Sequence, residues 1–226
     1  MRTPAAPATT TPSVRRKYAG KDAKTRQAER RRKLVQAGMT LFGRDGFANT
    51  SIDALCAQAG LTKRYFYESF ASSEDLLTET YRVATQDLMD ALMKAASPHL
   101  SDSRALVHSG VAEVFRFVRS QPHKARLIMI EATSVRSQLG RVYGKSYGAF
   151  VELLVNFTKP FLGKDAPSDT VLAVMARGAV GAIIHLCQAW LVNDCQQPME
   201  ELVEGVQRIF GGMGRELGVS GWVDAP

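Results

Sequence analysis

The 226-residue sequence contains few of the residues from which catalytic and metal sites are most often built. Its three cysteines, Cys56, Cys187 and Cys195, form no C-x-x-C pair and leave an odd count, which argues against a zinc site and against a disulfide framework. Its four histidines show no metal-ligand spacing. We therefore predict buried, reduced thiols, no metal and no cofactor.

The sequence also lacks recognisable segments for export. The N-terminus has no apolar core of a secretory signal, and no apolar run is expected to reach transmembrane length. Together with the unpaired cysteines, these features predict a cytoplasmic protein with no membrane partner.

Positive charge is concentrated at the N-terminus. Residues 1–33 hold eleven Lys and Arg against two acidic residues, whereas residues 34–226 hold eighteen against twenty. Residues 1–24 are rich in Pro, Ala and Thr and show no apolar periodicity, which predicts a disordered basic arm. Arg15, Arg16 and Lys17 are candidates for contacts with a polyanion, either along its phosphates or in a minor groove. A solvated tail is the alternative.

The stretch from Thr50 to Phe70 predicts two short helices joined by a tight turn. Their inner faces are marked by apolar residues at helical spacing: Ile52, Leu55 and Ala59 in the first helix, and Leu61, Phe66 and Phe70 in the second. Gly60 stands between them, where a left-handed backbone is needed. Two helices crossing over a glycine-containing turn form a helix-turn-helix.

The outer face of the second short helix carries Lys63, Arg64 and Tyr67. A short exposed helix with cationic and aromatic side chains suits the major groove of DNA. Three helix starts are predicted from capping residues: Thr50 with Asp53, Thr62, and Ser72 with Asp75. A generic three-helix packing unit with solvated basic residues is the alternative.

The rest of the chain shows helical periodicity, which predicts an all-α fold. The predicted segments are a helix over about 72–96, one containing Val107–Val118, one from Pro122 through Ala132, a loop over 134–138, a helix from Val142 to about Lys159, an eighth from Ser168 through Trp190, and a ninth from Pro198. The eighth is apolar on almost every side, and Gly178, Gly181 and Ala182 would let another helix approach closely.

The segment from Leu34 to Leu77 resembles the N-terminal domain of TetR-family transcriptional regulators. The resemblance is carried by Leu41-Phe42, Gly46-Phe47, Thr50-Ser51, Ala59-Gly60-Leu61-Thr62, Phe66-Tyr67 and Phe70. Arg64 and Ser73 depart from the Gly and Lys that the family commonly has. The operator sequence therefore cannot be taken from a relative.

This resemblance implies an all-helical, homodimeric repressor. Its parts would be a basic arm (1–24), a helix-turn-helix DNA-binding domain (25–71) and an effector-binding and dimerisation domain (72–226). By position, Thr50, Thr62 and Tyr67 would hold phosphates, and Lys63, Arg64 and Tyr65 would approach base edges or flanking backbone. Ser51 is a further candidate for DNA binding. The eighth and ninth helices would form the dimer interface. The implied partners are a double-stranded operator, which would hold the protein at the nucleoid, and a small effector.

An effector pocket is expected between the predicted helices five, seven and eight. Aromatic bulk with a few polar tips suits an apolar or aromatic ligand. The candidate lining residues are Phe115, Tyr143, Tyr147, Phe150 and His185. For each of them, an ordinary place in the protein core is the alternative.

Two other functions compete with specific regulation. Gly144 to Gly148 matches the G-x-S-x-G pattern of serine hydrolases, with Ser146 as the nucleophile. That pattern requires a strand before the serine, and the preceding residues have helical periodicity. The other alternative is nonspecific DNA binding driven by the basic arm, which would depend steeply on salt. The sequence does not distinguish a repressor from an activator.

Overall fold

The computed structural model describes residues 14–164, 166–219 and 221–222, with side chains from residue 22 onward. Within these residues the regular structure is entirely helical, as predicted. The helices are α1 (Val14–Asp45), α2 (Ile52–Ala59), α3 (Lys63–Tyr67), α4 (Ser73–Ala96), α5 (Ser103–Ser120), α6 (Pro122–Arg126), α7 (Ala132–Ser134), α8 (Arg136–Leu139), α9 (Arg141–Thr158), α10 (Asp169–Val192) and α11 (Met199–Glu216). A π-helical segment, Leu127–Glu131, joins α6 to α7.

The first helix extends into the segment that was predicted to be disordered. Helix α1 starts at Val14, so the expectation of a disordered arm is wrong for residues 14–24. Residues 14–45 contain no proline and many good helix formers, and a helix anchored by its packed end extends into such a stretch. Residues 1–13 lie outside the described residues, as do the side chains of Arg15, Arg16 and Lys17.

Helices α1, α2 and α3 pack their apolar faces together, and their buried residues form one continuous core with those of the following helices. Leu34, Phe42, Leu55 and Phe66 are fully buried. Gly46 (φ +86°) ends α1 and Gly60 (φ +64°) caps α2, both in the left-handed conformation that the turns require. The predicted helix-turn-helix is therefore confirmed, including its inner face.

One of the three predicted caps is confirmed with its hydrogen bond, and one by position alone. Ser72 Oγ accepts a hydrogen bond from the backbone N–H of Asp75, as predicted for α4. Thr62 takes the N-cap position of α3, but its side chain makes no capping hydrogen bond. At α2 the capping residue is Ser51 rather than Thr50, because Ser51 Oγ accepts from Ala54 N–H at 3.1 Å. The Thr50 hydroxyl instead donates to the carbonyl oxygen of Gly46 at 2.7 Å.

In the body, which is the part of the chain from α4 onward, the predicted helices are confirmed with one correction. The stretch 134–138 was expected to be a loop, but Arg136–Leu139 forms the short helix α8. Val135 and Leu139 are four residues apart and both buried, so the core fixes this segment as a helical turn despite its polar composition. The predicted eighth and ninth helices are α10 and α11.

Helix α4 leads from the head, which is formed by α1, α2 and α3, into the body. Helix α6 makes a second contact between the two parts. A Cβ atom built on Gly43 of α1 would lie 2.1 Å from the carbonyl oxygen of His123, so the two backbones meet there directly. Next to this contact, Glu131 Oε2 accepts a hydrogen bond from the backbone N–H of Phe47 at 3.2 Å. The head is therefore attached to the body at two separate points.

Helix α10 differs from the other described helices in its composition. By length and hydropathy alone it could cross a membrane, since an 18-residue window reaches a mean hydropathy of 1.8. The expectation that no apolar run reaches that length is therefore wrong. Only 22% of the residues in that window are buried within the chain, which leaves one side of the helix uncovered.

Candidate nucleic-acid interface and effector cavity

The outer face of α3 presents the three side chains predicted there. Lys63, Arg64 and Tyr67 are exposed, whereas Phe66 on the opposite face is fully buried. Tyr67 is fixed edge-on against Phe66 with ring centroids 5.4 Å apart. This packing holds the helix in place beneath a surface that is open to a ligand.

Both cations of α3 have acidic partners in the free protein. Lys63 Nζ lies 2.9 Å from Asp53 Oδ1 of α2, and Arg64 Nε lies 3.0 Å from Glu68 Oε1. The hydrogen bond from Lys63 to Asp53 raises the pKa of the lysine, which keeps it charged. Exposed ion pairs of this kind contribute little stability, so the partners can be exchanged for phosphates or bases.

Tyr65 does not share the outer face of α3. Its ring lies under the Arg30 guanidinium, 4.0 Å from centroid to Cζ, and Arg30 also pairs with Glu68 at 3.1 Å. Tyr65 therefore connects α3 to α1, and reaching a base edge would require breaking this contact. The other predicted positions lie beside the helix: Ser51 and Thr62 are exposed, and Thr50 is half-buried.

Two arginines that hold α3 in place were not predicted from the sequence. Arg30 contacts the ring of Tyr65 and pairs with Glu68. Arg31 donates to the carbonyl oxygen of Ser69 at 2.9 Å, and its guanidinium lies 4.2 Å from the centre of the Phe70 ring. Both side chains join positions about 38 residues apart, and a run of basic residues carries no local signal of such contacts.

The body contains an apolar cavity of about 200 Å³ between α4, α5, α9, α10 and α11. It lies between the three helices where the effector pocket was predicted. Its lining includes Leu88 and Leu92 from α4, Val107, Gly110 and Val114 from α5, Ile128 and Met129 from the π-helical segment, Phe150 and Phe157 from α9, Val180 and Ile184 from α10, and Phe210 and Met213 from α11. The described lining contains no charged side chain.

Of the five predicted effector residues, only Phe150 lines this cavity. Phe115 is fully buried and packs edge-on against Trp190 at 5.6 Å. Tyr143 and Tyr147 stack on each other outside the cavity, with ring centroids 6.4 Å apart, and the Tyr147 hydroxyl donates to the carbonyl oxygen of Arg177. These aromatic residues hold helices together instead of lining the site.

His185 was expected to line the effector pocket or to lie in the protein core, and it does neither. Its side chain is exposed on the outer side of α10. The sequence around it is apolar on every face of the helix, but this chain covers only one of those faces. His185 belongs to a stripe of exposed, mostly small or apolar residues at spacings of three and four, the α10 stripe: Val171, Val174, Gly178, Ala182, His185, Ala189 and Val192.

Ser146 does not stand in a nucleophile elbow. Gly144 to Gly148 lie within α9, so the strand and sharp turn that the G-x-S-x-G motif requires are absent at this place. The Ser146 hydroxyl is 3.4 Å from that of Thr85 on α4, which makes it part of a contact between two helices.

An all-helical chain with a cationic helix-turn-helix and an apolar cavity in a separate helical body defines a DNA-binding transcriptional regulator. Residues 34–80 match the model of a family described as bacterial regulatory proteins, tetR family. Over these residues, which include the whole helix-turn-helix, the chain is similar to that family.

Known proteins resemble the chain over most of its length. The HTH-type transcriptional activator FasR of Mycolicibacterium smegmatis is 24% identical, with 82% of this chain and 83% of the relative covered. A Rhodococcus transcriptional regulator superimposes with a TM-score of 0.71 at 12% identity, covering 84% and 98%. FadR of Bacillus subtilis, solved with stearoyl-CoA, superimposes with a TM-score of 0.62 at 15% identity, covering 84% and 97%. At these identities the two structural matches concern the fold.

Proposed function

We propose that the protein is a homodimeric, cytoplasmic repressor that binds a near-palindromic operator and is released from it by a small molecule with an apolar part. The observation that carries this proposal is the junction of head and body. The π-helical segment touches the apolar cavity through Ile128 and Met129, and touches the head through Glu131. A ligand in the cavity would therefore contact the five-residue segment from which Glu131 reaches the DNA-binding head.

The DNA contacts are assigned to the outer face of α3. Lys63 and Arg64 would exchange Asp53 and Glu68 for guanine edges or phosphates, and Tyr67 would donate its hydroxyl to a phosphate. Thr50, Ser51 and Thr62 lie beside this face, where hydroxyls can position the head on the backbone. In a dimer, two such faces would enter successive major grooves about 34–36 Å apart.

The dimer interface is assigned to the α10 stripe together with α11. Val174 is 65% exposed and Val192 69%, an exposure of apolar surface that a partner would relieve. Glycines continue the uncovered surface: a Cβ atom on Gly178, or on Gly205 or Gly212 of α11, would meet no atom within 4 Å. The monomer does not need these glycines for packing, and small residues let a second copy approach closely.

The effector is assigned to the cavity because it is a concave apolar site whose lining includes Leu88 and Leu92 of α4. Stearoyl-CoA occupies the solved FadR structure, which supports an effector with an apolar portion for this fold. Ligand binding would favour a dimer whose heads are wrongly spaced. The coupling runs through α4 and through Glu131, and its size is limited by the ligand's different affinities for the two states.

The first test is selection of bound DNA from a genomic pool at physiological salt with competitor DNA. Recovery of one inverted repeat supports a specific dimeric regulator. Recovery of no shared sequence would contradict the proposal and leave nonspecific binding. A reporter gene behind the recovered site then gives the sign: deleting the regulator should raise expression. Lower expression after deletion would make the protein an activator, which is what its relative FasR is named.

The α3 assignment is tested by Lys63→Ala and Tyr67→Phe on the recovered operator. Each should weaken binding by about 1–3 kcal/mol if it removes a base contact, and Lys63→Ala should lower the salt slope by about one if it removes a phosphate contact. Asp53→Asn is the matched control, because it frees Lys63 without removing it. Unchanged operator affinity in both variants would contradict the assignment.

A further inference from the structure

The cavity of the body is small in volume but long. Its volume of about 200 Å³ is below the roughly 300–1,000 Å³ of drug-sized pockets. Its lining nevertheless extends along α5 from Ser103 to Val114, which at 1.5 Å per residue is about 16 Å. A small volume spread over this length is a narrow channel, and such a channel suits a linear chain better than a fused ring system.

The chemistry of the lining restricts what can enter. The only hydroxyl groups in the described lining belong to Ser103 and Thr158. The Thr158 hydroxyl donates to the carbonyl oxygen of Leu154 at 2.8 Å, and Ser103 is also engaged in an interaction. Burying a charge without a partner is costly, so an ionic or strongly polar group of the ligand would remain outside the channel.

One lining residue of the channel comes from outside the helix bundle. At the end where α4 finishes and α5 begins, the lining includes Ala96, Ser103 and Trp222, and Trp222 lies beyond α11. This side chain can therefore be altered without removing a residue from the bundle itself.

Trp222 is held in this position by small residues. After Gly218 (φ +63°) the chain turns back, and the indole rests on α11 where Gly211 and Gly214 leave room. A Cβ atom on Gly211 would lie 2.5 Å from the ring, and one on Gly214 would lie 3.1 Å from it. The Arg104 guanidinium covers the ring at 5.4 Å from its centroid. The indole is thus seated across the end of the channel.

We propose that the channel takes a linear aliphatic chain whose end meets the Trp222 indole, so that Trp222 sets the longest chain the protein accepts. This inference rests on the proposed function of the body as an effector domain. It adds the class of the ligand and the residue that selects among its homologues.

The test uses the full chain without DNA and a series of straight-chain fatty acids from octanoate to eicosanoate, each also as its coenzyme A thioester. Affinity should rise by about fourfold for each methylene buried, up to a limiting length. In Trp222→Ala the limit should move to a longer chain by at least one even-numbered homologue. Trp222→Phe, which keeps an aromatic ring on the two glycines, should move it less.

A second variant blocks the channel and does not depend on Trp222. Gly110 lines the channel, and a Cβ atom there would meet nothing within 4 Å. Gly110→Phe should therefore fill the channel and weaken binding of every chain by at least about tenfold. Gly144→Phe is the matched control, because Gly144 also lies within a helix with open space around it but away from the lining.

Three results would overturn the inference. The first is a limiting length in the folded variants Trp222→Ala and Trp222→Phe that equals the limit of the unmodified protein. The others are binding of a steroid as tight as that of the best chain, and no binding of any chain. If no chain binds but another compound releases the operator, the inference is wrong and the proposed function stands. If chains bind with a Trp222-dependent limit but never change operator affinity, the inference stands and the proposed effector role is wrong.

Discussion

The head and the body of this protein differ in how completely their interiors are filled. In the head, the three helices close around fully buried side chains such as Phe42 and Phe66, and the functional groups are polar side chains on the outside. In the body, the helices leave a channel at the centre and an apolar stripe on the outside of α10. The head is close-packed and would recognise DNA with its surface, whereas the body contains a cavity with space for a ligand.

This difference shows where a ligand can act. A close-packed domain has no space for a ligand and only one low-energy arrangement, so it binds DNA as a rigid unit. A unit with unfilled space can repack around a guest. The π-helical segment lies between the two and touches both, which makes it the place where repacking would reach the head.

The largest loss of stability is expected from truncating a side chain in the close-packed head. Phe66→Ala should destabilise the head by about 3–5 kcal/mol and abolish operator binding, because the cavity it creates cannot collapse. Phe150→Ala removes the same groups from a side chain that already borders empty space, and should cost less than half as much. Denaturant unfolding followed by circular dichroism compares the two. Equal costs would mean that the body is packed as tightly as the head.

The next effect is expected at the α10 stripe. Ala182→Glu should raise the dimer dissociation constant at least about a hundredfold, because like charges facing each other across an interface cost several kcal/mol. Ala149→Glu, at an exposed alanine of α9 off the stripe, is the control and should leave the dimer intact. Sedimentation at micromolar concentration measures both. A dimeric Ala182→Glu variant would place the interface elsewhere.

A smaller effect is expected at the link between body and head. Glu131→Ala leaves the Phe47 N–H without its carboxylate acceptor and should cost about 1–3 kcal/mol of stability. Glu131→Gln keeps a neutral acceptor and should cost less. With an effector in hand, Glu131→Ala should also reduce the change in operator affinity that the effector causes. An unaltered response in this variant would leave α4 as the sole route of coupling.

The smallest effect compares two capping residues within the head. Ser51→Ala removes the hydrogen bond to Ala54 and should cost about 1 kcal/mol. Thr62 holds the same position at α3 but makes no capping hydrogen bond with its side chain, so Thr62→Ala should change stability by less than about 0.5 kcal/mol. Thermal unfolding of the two variants measures both changes in stability. A larger loss in Thr62→Ala would contradict the assignment of the caps.

The head could be predicted almost completely from sequence because its signals are local. The spacing of Leu55, Phe66 and Phe70 and the position of Gly60 each report on a few neighbouring residues. The error at Thr50 arose because two adjacent hydroxyl residues can both cap a helix. The contacts of Arg30 and Arg31 were not predictable, since they depend on how α1 crosses α3.

In the body, the helices could be predicted but not the directions in which they face. Helix α10 is apolar all round, so no periodicity indicates which side meets the core, and His185 was placed on the wrong side. The channel is a property of five helices and a returning C-terminal segment together. A residue such as Trp222, far along the chain from Ser103 and Gly110, gives no sequence signal that it closes the same space.

The meeting of backbones at Gly43 and His123 limits how this protein can be recombined. Regulators of this kind invite the construction of chimaeras, in which the reading head of one protein is joined to the sensing body of another. Here any residue larger than glycine at position 43 would push α6 away from α1. A functional chimaera would have to take Gly43, α6 and Glu131 from the same parent protein. The junction between the two parents could therefore not lie at the end of the helix-turn-helix.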